Sequence, residues 1–135
     1  DGMSKTVTAL AALDEGLLVV NLIDFDMCYG HRRDAVGFGR ALEEFDAWLP
    51  ELYEQMRDDD LLVICADHGC DPTTEGSDHT REYVPLLVWS KSMATGVALG
   101  DRPSFADAGA TLAAYFDAGA MTTGESFLDL LGLPA

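Results

Sequence analysis

Apolar residues along the chain alternate between two periods. Ser4 to Leu13 carries Val7, Leu10, Ala11 and Leu13 at near-helical spacing, which predicts a helix with Ser4 as N-cap and Gly16 as its stop. Leu17 to Ile23 is a continuous apolar run of strand length, the pattern of a central strand covered on both faces. The polar, glycine-containing stretch Asp24 to Asp34 then reads as a loop. Ala41 to Met56 repeats Leu42, Phe45, Trp48, Leu49, Leu52 and Met56 at threes and fours, a helix in which Pro50 removes one backbone donor. Leu61 to Ala66 and Val84 to Trp89 read as two further strands, separated by the long polar loop Asp67 to Arg81. A glycine-containing connection runs from Lys91 to Pro103. Ser104 opens a helix to about Asp117, and a short helix from Ser126 to Leu131 follows.

Helices alternating with strands predict an α/β layer structure: a mainly parallel sheet with helices on both faces. The 135 residues are one domain's worth, and 48% apolar with 24% charged residues excludes disorder or a coiled coil as the main architecture. The longest apolar run falls far short of a membrane span, and no signal peptide opens the chain. Three cysteines without framework spacing favour a reduced, cytoplasmic setting. The chain opens on Asp1 rather than methionine, so it is expected to be a piece of a longer protein.

Charge narrows the function classes. Eight basic against 24 acidic residues leave a formal net charge of −16, which opposes a non-specific nucleic-acid or anionic-membrane surface. Most of these carboxylates make a solvated surface, but a cluster at loop ends could take metal ions as counter-charge. In open α/β sheets, ligands bind beyond the carboxyl ends of the strands. All three histidines lie in the two polar loops that follow predicted strands: His31 with Asp26 in the first, His68 with Asp67 and then His79 with Asp78 in the second. A single Asp–His pair is ordinarily a solvated turn. Three such groups at strand ends, using every histidine, make a metal site the better reading. Mixed imidazole and carboxylate donors suit manganese, iron or zinc.

Other features carry less. Gly37-Phe38-Gly39 begins a nucleotide-loop pattern, but Leu42 stands at its third glycine position and no strand directly precedes it. Arg32, Arg33 and Arg81 could grip phosphate, or could pair with Asp34 or Glu82 and hold their loops. Thr73, Thr74 and Thr80 read as loop hydrogen bonders. Cys65, inside an apolar run, reads as core, as do Trp48 and Trp89.

Two strings are more specific. Asp24-Phe25-Asp26-Met27-Cys28-Tyr29-Gly30-His31-Arg32-Arg33-Asp34 closely resembles a signature of bacterial phosphopentomutases. So does Ala66-Asp67-His68-Gly69-Cys70-Asp71-Pro72-Thr73-Thr74, followed by Asp78-His79-Thr80-Arg81-Glu82-Tyr83-Val84-Pro85. The Ala-Asp-His-Gly portion alone points only to the alkaline phosphatase superfamily. The similarity runs from Asp1 to about Leu131 and looks like the C-terminal third of a family member. The resemblance implies an alkaline-phosphatase-like core, present in part, with the N-terminal core segment and the cap domain absent from this chain.

It also implies an activity: interconversion of ribose 1-phosphate and ribose 5-phosphate, or of the deoxyribose pair, with two Mn²⁺ ions and a phosphorylated threonine. Asp26, His31 and His79 match the ligands of one metal, and Asp67 and His68 match ligands of the other. The phospho-threonine has no counterpart here, so no catalytic residue is expected in this chain, and the fragment alone is expected to be inactive. Cys28 stands where the family pattern leads one to expect leucine, and Cys70 where asparagine is expected. The rival readings are another enzyme of the superfamily, such as a cofactor-independent phosphoglycerate mutase or a phosphodiesterase, and a non-catalytic α/β domain that binds metal or a partner.

Overall fold

A computed structural model describes residues 1–93 and 96–133. Contacts within the chain divide it into two compact units, Asp1–Arg57 with Val63–Leu87, and Asp58–Leu62 with Val88–Ala135. The length alone suggested one domain.

In the first unit, helix α1 spans Gly2–Ala12, two residues earlier than expected, with Asp1 at its N-cap. The Asp1 carboxylate makes no cap bond and pairs with Lys5 instead, at 2.6 Å. Helix α2 spans Ala35–Gln55 and starts a turn and a half before its apolar repeat, because Asp34 caps it by accepting from the Gly37 amide at 2.8 Å. Gly37 is required there, since a Cβ would overlap both Asp34 and the Tyr29 ring. Pro50 is accommodated inside α2, and Leu52 and Met56 are buried at its C-terminal end. Arg57 donates to the carbonyls of Leu13 and Asp14, so the C-terminal end of α2 holds the exit of α1.

The stretch expected as a loop contains a single π-helical turn, Phe25–Gly30. It packs on α2 through aromatic edges: the Phe25 ring lies 5.6 Å from Phe38 and 6.3 Å from Phe45, and Phe45 lies 5.6 Å from Trp48.

Strands β1 (Leu62–Cys65) and β2 (Leu86–Trp89) pair into a two-stranded sheet. The expected strand Leu17–Ile23 does not form among the described residues. A strand needs a partner for its backbone donors and acceptors. β1 and β2 pair with each other, and the run is left with Leu17 56% and Val19 78% exposed. Cys65, the last residue of β1, is exposed and not core.

The second unit is built round a buried polar network. Helix α3 spans Ala106–Tyr115, shorter than expected, with the Ser104 hydroxyl accepting from the Ala106 amide. Asp107, on its first turn, is 2% exposed and accepts from the Glu125 amide at 3.0 Å and from Arg102 Nε at 2.8 Å. These bonds hold its carboxyl below the usual range, the Glu125 amide first and Arg102 next, against the opposing effect of burial. Thr111, fully buried, donates to the Asp107 carbonyl and accepts from the Phe127 amide. The chain is thereby folded back so that Phe127 and Leu131 fill the core, and a 3₁₀ turn, Leu128–Leu131, follows.

Candidate metal centre

The π-helical turn decides where Asp26 and His31 point. Round an α-helix, residues five apart lie about 140° from each other. The i→i+5 pattern closes that angle: the His31 amide donates to the Asp26 carbonyl at 2.9 Å, and the Asp34 amide to the Tyr29 carbonyl at 3.0 Å. The two side chains therefore meet, with His31 Nε2 3.2 Å from Asp26 Oδ2. Gly30 closes the turn at a point where a Cβ would overlap Cys70 Sγ, so the turn can seat directly against the second loop.

The second loop leaves β1 through Asp67 and His68. Its base is closed by an antiparallel bridge between Gly69 and Thr80, with the Thr80 amide donating to the Gly69 carbonyl at 3.1 Å. Gly69 is buried, and any Cβ would run into Thr80 and Glu82. The bridge returns His79 to a place beside His68, where the two rings stack with centroids 3.6 Å apart. His79 Nε2 then lies 3.6 Å from Asp26 Oδ1, and its ring centroid 5.0 Å from that of His31.

Donor atoms of Asp26, His31 and His79 all fall within 4.8 Å of one another. Asp67 and His68 lie beside this group but outside it: Asp67 Oδ1 is 3.6 Å from His68 Nε2, and the Asp67 side chain is 80% exposed.

The chemistry of the three donors fits a divalent cation. Asp26 offers an anionic oxygen. His31 Nδ1 lies 2.5 Å from the Ser77 carbonyl, which can only accept, so Nδ1 carries a proton and Nε2 is the ring nitrogen that faces the group. Side-chain exposures of 25% for Asp26, 37% for His31 and 47% for His79 leave the cluster open on one side.

Around the donors the remaining polar groups are engaged. Cys70 Sγ donates to Asp26 Oδ1 at 3.8 Å, and burial, then the Asp26 charge, push the thiol's pKa up, which disfavours a reactive thiolate. Asp71 accepts from the Thr73 amide and hydroxyl and from the Thr74 hydroxyl, and these bonds, Thr73 first, hold its carboxyl low. Thr80 donates to Glu82 at 2.6 Å and accepts from the Asp71 amide at 2.7 Å. Arg33, a candidate phosphate ligand in the sequence, instead points its Nε, Nη1 and Nη2 at the carbonyls of Gly76, Asp71 and Asp78. Arg32 reaches its own turn, at the Met27 carbonyl. Ser77 carried no sequence signal; its part is played by a main-chain carbonyl, which any residue has.

No helix among the described residues is long and apolar enough to cross a membrane. Residues 1–120 match the metalloenzyme superfamily. The chain is similar to a phosphopentomutase of Syntrophotalea carbinolica, 63% identical over 131 residues, which are 97% of this chain and 33% of that protein. It is 53% identical over 133 residues to a phosphopentomutase of Caldanaerobacter subterraneus (98% of this chain, 34% of the relative), and 56% identical over 126 residues to one of Hahella chejuensis (93% and 30%). The chain thus spans about a third of the length of the curated relatives it matches. A cluster of one carboxylate and two imidazoles, on a chain matched over nearly all its described length, agrees with that assignment: the chain belongs to the metalloenzyme superfamily.

Proposed function

We propose that this chain is the metal-ligating third of a phosphopentomutase, an enzyme that interconverts ribose 1-phosphate and ribose 5-phosphate or their deoxyribose counterparts. The observation that carries this reading is the convergence of Asp26, His31 and His79 within 4.8 Å, in a chain up to 63% identical to proteins of that name. These three residues hold one Mn²⁺, and Asp67 with His68 contributes to a second. When bound, such cations supply positive charge against phosphoryl oxygens.

The chain's own residues set the geometry. The π-helical turn places Asp26 and His31 on one side, and the Gly69–Thr80 bridge brings His79 to the other. The Ser77 carbonyl holds the His31 tautomer whose Nε2 accepts a metal. Thr73 and Thr74 give their hydroxyls to Asp71, and Thr80 gives its own to Glu82, which braces the loop that carries His79. On this reading the phosphoryl-carrying threonine, the sugar-binding cap and the rest of the core lie outside this chain, as the resemblance implies for a chain that spans about a third of its relatives' length. In the complete protein β1 and β2 belong to a larger, mainly parallel sheet with helices on both faces. Three free cysteines suit a reducing, cytoplasmic setting.

The test is to set this chain in place of the matching third of the Syntrophotalea carbinolica relative and to assay ribose 1-phosphate conversion with Mn²⁺. Turnover that is lost with Asp26→Ala supports the reading. Turnover of a phosphoglycerate or a phosphodiester, with none of the pentose phosphate, overturns it.

A further inference from the structure

The three clustered donors come from two places far apart in sequence. Asp26 and His31 share one π-helical turn, so their mutual distance is set locally. His79 arrives on a loop whose base is closed by the Gly69–Thr80 bridge, but a closed base does not determine where the rest of the loop lies. Two side chains tie the body of that loop to the first turn: His31, whose Nδ1 lies 2.5 Å from the Ser77 carbonyl, and Arg33, which holds the loop at three points. Arg33 Nη1 donates to the Asp71 carbonyl at 2.8 Å and its Nη2 to the Asp78 carbonyl at 2.7 Å, one on each limb of the loop, and its Nε donates to Gly76 between them. The Asp78 carbonyl belongs to the peptide that leads into His79, so this bond acts one residue from the donor.

Two further observations agree. Arg33 has φ +55°, a left-handed conformation that non-glycine residues seldom adopt. The backbone just beyond His31 is held in it, and from it the guanidinium reaches the loop. The planar fork of five N–H groups suits three carbonyls in fixed directions, which a lysine ammonium on a flexible stem does not. The Arg33 charge also acts on the Asp71 carboxylate at the base of the loop, in a chain with 8 basic residues against 24 acidic ones.

We propose that Arg33 is a positioning residue: by gripping three main-chain carbonyls of the 71–78 loop it fixes His79 against Asp26 and His31. The proposal rests on reading those three side chains as a metal site, and it assigns Arg33 to the loop and not to the phosphate of a substrate.

The experiment is a Mn²⁺ titration of the whole 135-residue chain, with free Mn²⁺ read by electron paramagnetic resonance, beside amide hydrogen exchange over residues 71–79. The variants are Arg33→Asn, which tolerates the left-handed backbone and lacks the guanidinium, and Arg33→Lys, which keeps the charge without the fork. Asp26→Ala is the reference for a lost ligand. Arg33→Asn is expected to weaken Mn²⁺ binding about 10–100-fold, the usual size of an indirect effect on a metal site, and to speed exchange over 71–79 at an unchanged unfolding midpoint. Arg33→Lys is expected to recover only part of both. Wild-type Mn²⁺ affinity in either variant overturns the proposal. So does weakened binding with unchanged exchange over 71–79, which would mean that Arg33 acts elsewhere. Undiminished affinity in Asp26→Ala would overturn the metal reading itself, while faster exchange in Arg33→Asn would still support the hold on the loop.

Discussion

His68 and His79 lie face to face, their ring centroids 3.6 Å apart and their planes 11° from parallel. The stack matters because the two rings belong to different presumed ligand sets: His79 joins Asp26 and His31, and His68 stands with Asp67. The Gly69–Thr80 bridge permits the stack: in an antiparallel pairing the residues that precede the two partners lie on the same face and diagonal to each other, within reach of aromatic rings. Two cations held by these sets would be near neighbours, the arrangement that suits clamping of a phosphoryl group.

Removal of a donor is expected to affect function far more than fold. Asp26 is part-exposed, and its carboxylate contacts the two imidazoles and Cys70. Asp26→Ala or His79→Ala should weaken Mn²⁺ binding more than about 100-fold, beyond the range typical of groups that only support a ligand, and should cut turnover of the assembled enzyme by orders of magnitude. Thermal unfolding without metal should stay close to that of the unaltered chain. Calorimetric titration and a melting curve on the same sample check both halves.

The close seat of Gly30 on Cys70 predicts a coupled pair. Gly30→Ala places a methyl group on Cys70 Sγ and should destabilise the chain by about 1–3 kcal/mol, the usual range for overpacking. Cys70→Ala removes the obstructing sulfur. In the double variant the two effects should fail to add by more than about 0.5 kcal/mol, with Cys70→Ala recovering part of the loss. Additive effects in urea unfolding would show that the turn does not sit against the loop in this way.

Asp107 predicts an acid limb in stability. Its folded-state pKa lies below the ordinary aspartate value, so the unfolded state binds the proton more readily. The stability this gives is present above the unfolded value and is lost as pH falls through the folded one. The melting temperature should therefore fall from about pH 4 downwards as Asp107 protonates, releasing Arg102 and the Glu125 amide. Asp107→Asn should be less stable at neutral pH and show a shallower decline with acid. A parallel decline in the variant and the unaltered chain would assign the acid limb to other carboxylates.

Much of this was legible in the residues and some was not. The helical repeats of α1, α2 and α3 were readable because one face of each is apolar, and the clustering of Asp26, His31 and His79 because all three histidines fall beside carboxylates in two loops. Helix starts were displaced wherever a cap outranked the repeat, as Asp34 does for α2. The π-helical turn was read as loop, since glycine and polar residues mark both, although the spacing of five between Asp26 and His31 is the one an α-turn could not reconcile with shared ligation. The apolar run Leu17–Ile23 carries a strand's composition, but pairing is a property of neighbours, and no described strand stands beside it. The work of Arg33 and Ser77 passes through main-chain carbonyls, which leave no mark in a sequence.

On its own the chain is expected to bind Mn²⁺ and to leave ribose 1-phosphate unchanged. The chain spans about a third of the relatives it matches, and on the proposed reading the threonine that carries the phosphoryl group lies outside it, so the covalent step is missing. The assay is ribose 5-phosphate formation by the purified chain with excess Mn²⁺. Sustained formation would contradict the division of labour proposed here.

The central claim is that Asp26, His31 and His79 hold one metal ion. A crystal structure of the chain grown with Mn²⁺, with anomalous scattering recorded at the manganese edge, tests it most directly. The account predicts an anomalous peak within about 2.0–2.3 Å of an Asp26 carboxylate oxygen and of Nε2 of both histidines, with His31 Nδ1 still on the Ser77 carbonyl. A peak bound elsewhere, with His79 turned away from Asp26, would contradict it.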